Sequence, residues 1–358
     1  MNILQISFHT APMNSLGVND GGGLNVYVES ISRELAKDNI VHIITGEQAK
    51  NISKRNLKLS SFNLFTNQAN TEEKKEFLDE FIEKTFQYIE EHEIDVVHAH
   101  YWLSGLVAKE IKQRYKIPFI FTSHSLGVFI QENGLDRISA EKEIFNSADK
   151  ITASSQFEKE NLLNRYGADK LKIHIVTPGL NEKTFKAFRG EKRKNIILSV
   201  GRIQKQKGQL QTLDLFKNLQ YRIKGLELIF VGGPSGADGE AYLTKMKNKI
   251  EELRIEEDVQ FVGSLSQKKL VKLMRKSKLL IHSAESETFG LVAIEAHRSG
   301  LPVLSTNQGS FKEIISNNED GLVSKSFEDI QVYDFIIKLF ENEEYRSQLI
   351  NNAVKNSL

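Results

Sequence analysis

The segment IILSVGRIQKQKGQLQTLDLFKNLQYRIKGLELIFV (Ile196–Val231) decides the fold class of this chain. It begins and ends with short apolar runs, Ile196–Val200 and Leu226–Val231, and a longer amphipathic stretch separates them. Two buried strands joined by a helix form a βαβ unit, in which the strands lie parallel in one sheet. The segment therefore predicts an α/β fold built on a parallel sheet.

The same alternation continues on both sides of this segment, which predicts two doubly wound domains. Further predicted strands are Ile3–Ile6, Val41–Thr45, Ile94–His98, Pro118–Thr122, Lys150–Ala153, Lys172–Val176, Val259–Val262, Leu279–His282 and Pro302–Ser305. A charged stretch after Pro178 and Gly179 interrupts the pattern. We therefore expect a first domain at 1–178, a linker at 179–194 and a second domain at 195–358, with ligands at the strand ends in a cleft that the two domains face.

Composition excludes several classes of protein. The 358 residues include 48 Lys+Arg and 47 Asp+Glu, so the net charge of +1 offers no argument for nucleic acid. Cysteine is absent, which excludes disulfides, thiolate metal sites and a cysteine nucleophile. We see no signal peptide and no apolar run of the roughly 18 residues that a membrane span needs, so a cytoplasmic protein is expected. The balance is −4 up to Pro178 and +5 beyond it, which favours the second half for an anionic ligand.

Two loops predicted at strand ends could hold phosphate groups. Gly201-Arg202 and Lys207-Gly208 follow the strand Ile196–Val200, and two cations there could clamp a diphosphate, although a solvated basic loop has the same composition. Gly21, Gly22 and Gly23 precede a helix whose N-terminus would favour an anion. Neither loop matches a dinucleotide fingerprint or a P-loop.

The segment Glu285–Glu295 carries two carboxylates, Glu287 and Glu295, and is expected to turn into a helix capped by Thr288. Along a helix the carboxylates would be about 12 Å apart, too far for a retaining glycosidase pair at about 5–5.5 Å. The spacing suits binding of hydroxyls at two ends of a nucleotide sugar. Alternatively, Glu287 interacts with the dipole at the helix N-terminus, and Glu295 is a partly buried carboxylate with a structural role.

Histidines cluster at two predicted strand ends, in His98-Ala99-His100 and in Ser123-His124-Ser125. Alternate residues of a strand point to one face, as in some metal sites, but no third ligand accompanies them at a suggestive spacing. We therefore predict no metal site. Hydrolase and metalloprotease motifs are also absent from the sequence.

Taken together, these motifs resemble the family-four retaining glycosyltransferases of the GT-B fold, over Ile3 to about Ile350. G-R-x-x-x-x-K-G at Gly201–Gly208 and E-x-F-G-L-x-x-x-E at Glu287–Glu295 carry the resemblance in the second half. Blocks in the first half resemble the sucrose synthase, sucrose-phosphate synthase and mycothiol-pathway branch: GGGLNVYV (Gly21–Val28), HAHYWLSG (His98–Gly105), TSHSLG (Thr122–Gly127) and RISAE (Arg137–Glu141).

The resemblance implies a role for each matching residue. The catalytic group would be Arg202, Lys207, His124 and Glu287. The donor would be bound by Gly23, Arg202, Lys207, Glu287, Phe289, Gly290, Leu291 and Glu295, and the acceptor by Arg137, Tyr101 and Ser125. The donor is a nucleotide sugar such as UDP-glucose, with its base at the loops Gly232–Gly236 and Gly263–Ser266. Protein cations stabilise the leaving diphosphate, so no cofactor and no divalent metal are implied.

The motifs do not identify the sugar acceptor. A small sugar or sugar phosphate is favoured, yet relatives with phosphorylated acceptors have a lysine where this chain has Thr71, with Lys74 and Lys75 out of register. A polysaccharide, lipopolysaccharide or glycolipid acceptor is the alternative, and the basic residues Lys50, Lys54, Arg55 and Lys58 keep peripheral membrane contact open. An inactive GT-B binding protein is an alternative of another class. A nicotinamide-dependent dehydrogenase is not supported, because the sequence contains no dinucleotide-binding fingerprint.

Overall fold

The chain divides into two units, Met1–Pro178 (unit 1) and Gly179–Leu358 (unit 2). The structure, a computed structural model, describes residues 1–13, 22–129, 134–187, 192–236, 238–285 and 287–357. The predicted linker 179–194 has its described part inside unit 2. Phe185 is fully buried in the core cluster of that unit, and the guanidinium of Arg193 donates to the carbonyl of Gly300 at 2.7 Å. These contacts make it part of the second domain.

Unit 1 is built on one sheet whose strands, in the described residues, are β1 (Asn2–Ile6), β2 (Ile40–Glu47), β3 (Ile52–Lys54), β4 (Leu57–Phe65), β5 (Val96–His100), β6 (Phe119–Thr122), β7 (Lys150–Ala153) and β8 (Ile173–Ile175). The helices are α1 (Gly23–Leu35), α2 (Thr71–Lys75), α3 (Leu78–Glu90), α4 (Trp102–Tyr115), α5 (Gly134–Ser147) and α6 (Gln156–Tyr166). The strand order is β3-β4-β2-β1-β5-β6-β7-β8, and all pairs are parallel except β3 with β4.

Unit 2 is likewise built on one sheet with helices between the strands. Its described strands are β9 (Ile196–Val200), β10 (Glu227–Val231), β11 (Val259–Phe261), β12 (Leu279–His282), β13 (Val303–Thr306) and β14 (Gly321–Ser324). Its helices are α7 (Gln209–Gln220), α8 (Gly239–Leu253), α9 (Gln267–Lys276), α10 (Leu291–Arg298), α11 (Phe311–Ile314), α12 (Ile330–Glu341) and α13 (Glu343–Asn356). The sheet is parallel, in the order β11-β10-β9-β12-β13-β14.

The apolar runs of the sequence become central strands because helices cover both faces of each sheet. In β12, all four residues are buried, with Leu279 and Ile281 in one core cluster and Leu280 in another. The two predicted Rossmann-like domains are confirmed. The hairpin β3–β4 and the strand β14 were not predicted.

Candidate active site

The sheet of unit 2 has its switch point at β9, which pairs with β10 on one side and with β12 on the other. Ligands of such sheets bind outside the carboxyl ends of the strands, where the strand order reverses. Arg202 and Lys207 lie in the loop after β9, and Glu287 lies in the loop after β12. The predicted clamp and the predicted sugar-binding carboxylate therefore share one edge of one sheet.

Lys207 and Glu287 form an ion pair at this edge. The Lys207 Nζ lies 2.7 Å from Oε2 of Glu287, and the two side chains are only 21% and 19% exposed. Burial by itself would raise the pKa of Glu287, but the charge of Lys207, helped by His282 and Arg202, lowers it to about 2. Glu287 is therefore ionised at neutral pH and holds the ammonium of Lys207 beside it.

Short polar contacts fix the two loops against each other. Ser283 Oγ donates to the carbonyl of Lys207 at 2.8 Å, and the amide of Glu285 donates to the carbonyl of Gln206 at 2.9 Å. A Cβ at Gly208, where φ is +64°, would lie 2.1 Å from the Ser283 carbonyl oxygen. Only glycine permits this approach, and so Lys207 is held close to β12.

Helix α10 presents an uncapped N-terminus. Its N-cap is Gly290, with φ +81°, and no side chain caps it among the described residues. The prediction that Thr288 caps the helix is wrong, because the helix begins only at Leu291. Glu287 precedes the helix, so the helical estimate of about 12 Å to Glu295 does not apply. The Ala293 amide donates to the Gly290 carbonyl at 2.9 Å, but the amides of Leu291 and Val292 precede the intrahelical hydrogen bonds, which makes this end suitable for an anion.

Glu295 lies in the second turn of α10, half-buried and without a hydrogen-bond partner among the described residues. Burial raises the pKa of its carboxyl group to about 8. A desolvated carboxyl group with open acceptor positions can bind a pair of sugar hydroxyls. Phe289, by contrast, buries its side chain and leaves only its backbone to the site.

The loops expected to hold the base run beside the clamp. The Gly232 amide donates to the Gly263 carbonyl at 2.9 Å, and the Ile203 amide donates to the Gly233 carbonyl at 2.8 Å. Gly232 has φ +133°, and a Cβ there would lie 2.0 Å from the Gly201 carbonyl oxygen. The loops after β9, β10 and β11 thus form one continuous backbone surface.

In unit 1, the three predicted acceptor residues lie together. The guanidinium of Arg137, on α5, donates to the Tyr101 hydroxyl at 3.1 Å and to the hydroxyl and carbonyl of Ser125 at 3.0 and 2.8 Å. Its Nε donates to Glu141 at 2.7 Å in a buried ion pair. Because Tyr101 and Ser125 accept from Arg137, their own O–H groups are left to donate elsewhere.

The predicted histidines gather at the carboxyl edge of the unit 1 sheet. His100 Nδ1 lies 3.0 Å from His124 Nε2, and the ring centres of His98 and His100 are 4.1 Å apart. Burial, with repulsion from His98 and His9, lowers the pKa of His124 to about 3. These rings are neutral at pH 7. No group of three or more His, Asp or Glu in the described chain could hold a metal ion.

The glycine-rich loop of unit 1 leads into α1. Gly23 is the first residue of α1, its N-cap is Gly22, and no side-chain cap is found among the described residues. Gly21 lies outside the described residues. The N-terminus of α1 thus offers backbone amides, as the sequence predicted for an anion site.

Thr71, where the resemblance led us to expect a lysine for a phosphorylated acceptor, is the first residue of α2, and Asn70 caps that helix. Lys74, on the same helix, is buried at 1% exposure, and its Nζ lies 5.7 Å from the centre of the Phe65 ring. Lys75 pairs with Glu72 at 2.8 Å. The nearest lysines to Thr71 are therefore one helical turn further along.

Two residues of the unit 2 site were not singled out from the sequence. Gly309, with φ +78°, lies so close to Glu287 that a Cβ would be 2.0 Å from its carbonyl oxygen. His282 places Nε2 3.6 Å from Glu287 Oε2. The only sequence signal for either was its position at or after the end of a predicted strand.

Comparison with known proteins agrees with this architecture. Residues 21–184 match the model "Glycosyltransferase Family 4" and residues 181–356 match "Glycosyl transferases group 1". The D-inositol 3-phosphate glycosyltransferase of Frankia alni is 30% identical over 97% of this chain and 92% of its own length. The chain therefore belongs to the family-four glycosyltransferases of the GT-B fold.

Solved structures show the same fold. The sucrose-phosphate synthase of Thermosynechococcus elongatus superposes with a TM-score of 0.88 at 24% identity, over 99% of this chain and 94% of that one. Anabaena HepE in complex with UDP-glucose has a TM-score of 0.78 at 16% identity, over 100% and 94%. In the part of the chain that the structure describes, no helix is long and apolar enough to cross a membrane.

Proposed function

We propose that this nucleotide-sugar-dependent glycosyltransferase moves a hexosyl group from UDP-glucose or a similar donor to a small sugar or sugar phosphate, with retention of configuration. The observation that carries the proposal is the group of residues at the switch point of unit 2. Lys207 offers a cation, and the ionised Glu287 offers an acceptor for hydroxyls. The N-terminus of α10 offers amide donors, and Glu295, which has no hydrogen-bond partner among the described residues, offers a second acceptor.

In this proposal the described residues act by position and charge. Lys207 and Arg202 bind the diphosphate and stabilise the negative charge that grows on it as the bond to the sugar breaks. Glu287 and Glu295 hold sugar and ribose hydroxyls, and the backbone near Gly290 covers the sugar and the phosphate. The acceptor hydroxyl attacks the anomeric carbon from the face that the diphosphate leaves, so the protein needs no nucleophile of its own, and the departing phosphate takes the acceptor proton, so it needs no base.

For the acceptor, Arg137 arranges donors for a phosphate. The guanidinium turns the hydroxyl oxygens of Tyr101 and Ser125 toward itself, which leaves two O–H groups and one guanidinium N–H for a ligand. Relatives named for inositol 3-phosphate make a phosphorylated cyclic polyol the first acceptor to test.

A thermal-shift screen of UDP, GDP and ADP and their sugars tests the donor. A ligand at 100 times its Kd should raise the free energy of unfolding by about 2.7 kcal/mol. UDP-glucose is the first compound to try. A screen in which no nucleotide or nucleotide sugar raises the melting temperature would contradict the proposed donor site.

Arg137→Lys tests the acceptor. It keeps a positive charge near Glu141 but loses the planar fork that orients two hydroxyls, so acceptor KM should rise severalfold while donor hydrolysis is unchanged. Tyr101→Phe is the matched variant, because it removes one hydroxyl and keeps the ring beneath the guanidinium. Sugar phosphates that react no faster than neutral sugars, with both variants like wild type, would redirect the search to glycan or lipid acceptors.

A further inference from the structure

His282 is a buried histidine with no assigned part in the proposed reaction. It ends β12, is 5% exposed and packs its ring against Phe311, with ring centres 4.8 Å apart. Its Nε2 lies 3.6 Å from the same Oε2 of Glu287 that Lys207 contacts at 2.7 Å. One carboxylate oxygen thus has two nitrogen neighbours, one in contact and one slightly beyond hydrogen-bond distance.

The protonation of His282 follows from its surroundings. Burial, together with repulsion from Lys207, lowers its pKa to about 4, although Glu287 opposes this effect. The ring is therefore neutral at pH 7 and carries one N–H. Nδ1 is buried without a hydrogen-bond partner among the described residues. A buried N–H without an acceptor is costly, so the proton belongs on Nε2, which faces Glu287.

Donor binding places a competing demand on Lys207. In the proposed function the ammonium of Lys207 contacts the diphosphate, which carries more negative charge than a single carboxylate. An ammonium that moves to the diphosphate would leave Glu287 without its 2.7 Å partner, in a site where burial disfavours its ionised form. A movement of about 0.7 Å would bring Nε2–H of His282 within an ordinary hydrogen bond of the same oxygen.

We propose that His282 is a positioning residue that takes over Glu287 from Lys207 when the donor binds. The N–H of His282 keeps the Glu287 carboxylate ionised and turned toward the hydroxyls of the donor sugar, while Lys207 serves the diphosphate. This inference rests on the proposed function. It deepens that function by naming what holds the sugar-binding carboxylate once its cation has moved.

A purely structural His282 predicts different behaviour. If the ring only filled space beside Phe311, its replacement would disturb the loop as a whole. Free nucleotide and nucleotide sugar would then lose affinity together, because both need the diphosphate clamp. A ring that acts through Glu287 affects only ligands that carry the sugar.

The experiment is calorimetric titration of UDP and UDP-glucose, or of the equivalent pair for the base that the thermal screen selects. His282→Leu removes the N–H, and His282→Gln restores an N–H donor of similar reach. We expect His282→Leu to weaken UDP-glucose binding tenfold or more and to leave UDP within twofold of wild type. His282→Gln should recover most of the loss.

The double variant His282→Leu with Glu287→Gln completes a cycle. If His282 acts through Glu287, the double variant binds UDP-glucose no worse than Glu287→Gln alone. Equal losses for UDP and UDP-glucose, additive losses in the cycle, or unchanged UDP-glucose binding in His282→Leu would each overturn the inference. A wild-type protein that binds neither ligand would instead refute the proposed function, and the inference with it.

Discussion

Two carboxylates that are eight positions apart behave in opposite ways in this protein. Lys207 lowers the pKa of Glu287 to about 2, and burial without a cation raises the pKa of Glu295 to about 8. Burial raises the pKa of both groups, and the difference arises because Lys207, helped by His282 and Arg202, lowers the pKa of Glu287. At the residue scale, the site therefore combines a fixed negative charge with a titrating one.

Replacing the clamp cations should reduce turnover and leave the fold intact. We expect Lys207→Ala and Arg202→Ala each to lower turnover by two or more orders of magnitude, because removing one charge-stabilising donor costs about 3–4 kcal/mol in the transition state. Lys205→Ala is the matched control, because Lys205 lies in the same short 3-10 helix as Lys207 and its side chain is exposed. Steady-state kinetics of the three variants measures this. Near-wild-type turnover in either clamp variant would show that the clamp is not part of the mechanism.

The two carboxylates should separate in binding experiments. Glu295→Gln should weaken free nucleotide and nucleotide sugar alike, because both carry the ribose. Glu287→Gln should spare the free nucleotide and weaken only the sugar-bearing donor. Calorimetric titration of both ligands against both variants measures this, and equal loss of nucleotide affinity in the two would show that the role of Glu287 is misassigned.

Glu295 should also give the protein a pH-dependent stability. Its folded-state pKa of about 8 is above its ordinary value, so between these two values the folded state holds more protons than the unfolded state. Its contribution to the free energy of unfolding is therefore complete at low pH and is lost as pH rises to about 8. Urea denaturation from pH 5 to pH 9 should show Glu295→Gln gaining on wild type as pH rises, and parallel curves would contradict this.

At the element scale, the site depends on glycines where loops touch. Gly208 meets Ser283, Gly232 meets Gly201, and Gly309 meets Glu287, each so closely that a Cβ would lie about 2 Å from a carbonyl oxygen. These contacts hold the ends of neighbouring strands together without side chains. The loops can then present backbone amides and a few charges in fixed positions.

Gly309→Ala should displace Glu287. The added Cβ would lie 2.0 Å from the Glu287 carbonyl oxygen, so that segment must move and the sugar-bearing donor should bind at least tenfold more weakly. Gly225→Ala is the matched control: it has a similar positive φ of +61° and nothing within 4 Å of the added Cβ. Both variants should lose about 1–2 kcal/mol of stability from left-handed backbone strain, and only Gly309→Ala should lose donor affinity.

At the scale of the whole molecule, the parallel sheet of unit 2 brings cations to the place where an anionic leaving group would form. In the proposed function, Lys207 and Arg202 would stabilise the leaving diphosphate as a divalent metal does in other enzymes. The second half also carries the positive share of the charge, +5 against −4 in the first. Charge and topology thus favour the same unit for the donor.

Activity should therefore persist when divalent metals are removed. We expect turnover in excess EDTA to stay within twofold of the untreated enzyme, because Lys207 and Arg202 supply the positive charge. A complete loss that Mg²⁺ reverses would point to a different mechanism and would reopen the role of His98 and His100.

The local pattern of the sequence determined much of this architecture. Largely apolar runs such as Leu279–His282 and Ile196–Val200 predicted the central strands, because a strand buried on both faces needs such a run. The hairpin β3–β4 and the edge strand β14 were missed, although the edge strands β8 and β11 were predicted. Leu57–Phe65 mixes buried with partly exposed positions, and Gly321–Ser324 ends in two half-buried positions, so neither gave a strong apolar run.

The sequence alone was enough to identify the family and to propose candidate site residues, because motifs such as G-R-x-x-x-x-K-G are contiguous in the chain. Only the tertiary structure decided how those residues meet. Lys207 and Glu287 are 80 positions apart and touch because β9 and β12 are neighbours in the sheet. The start of α10 at Leu291, the shifted pKa of Glu295 and the approach of His282 to Glu287 likewise depend on burial and on distant neighbours. A local pattern contains no information about such contacts, since they arise only when separate segments pack together.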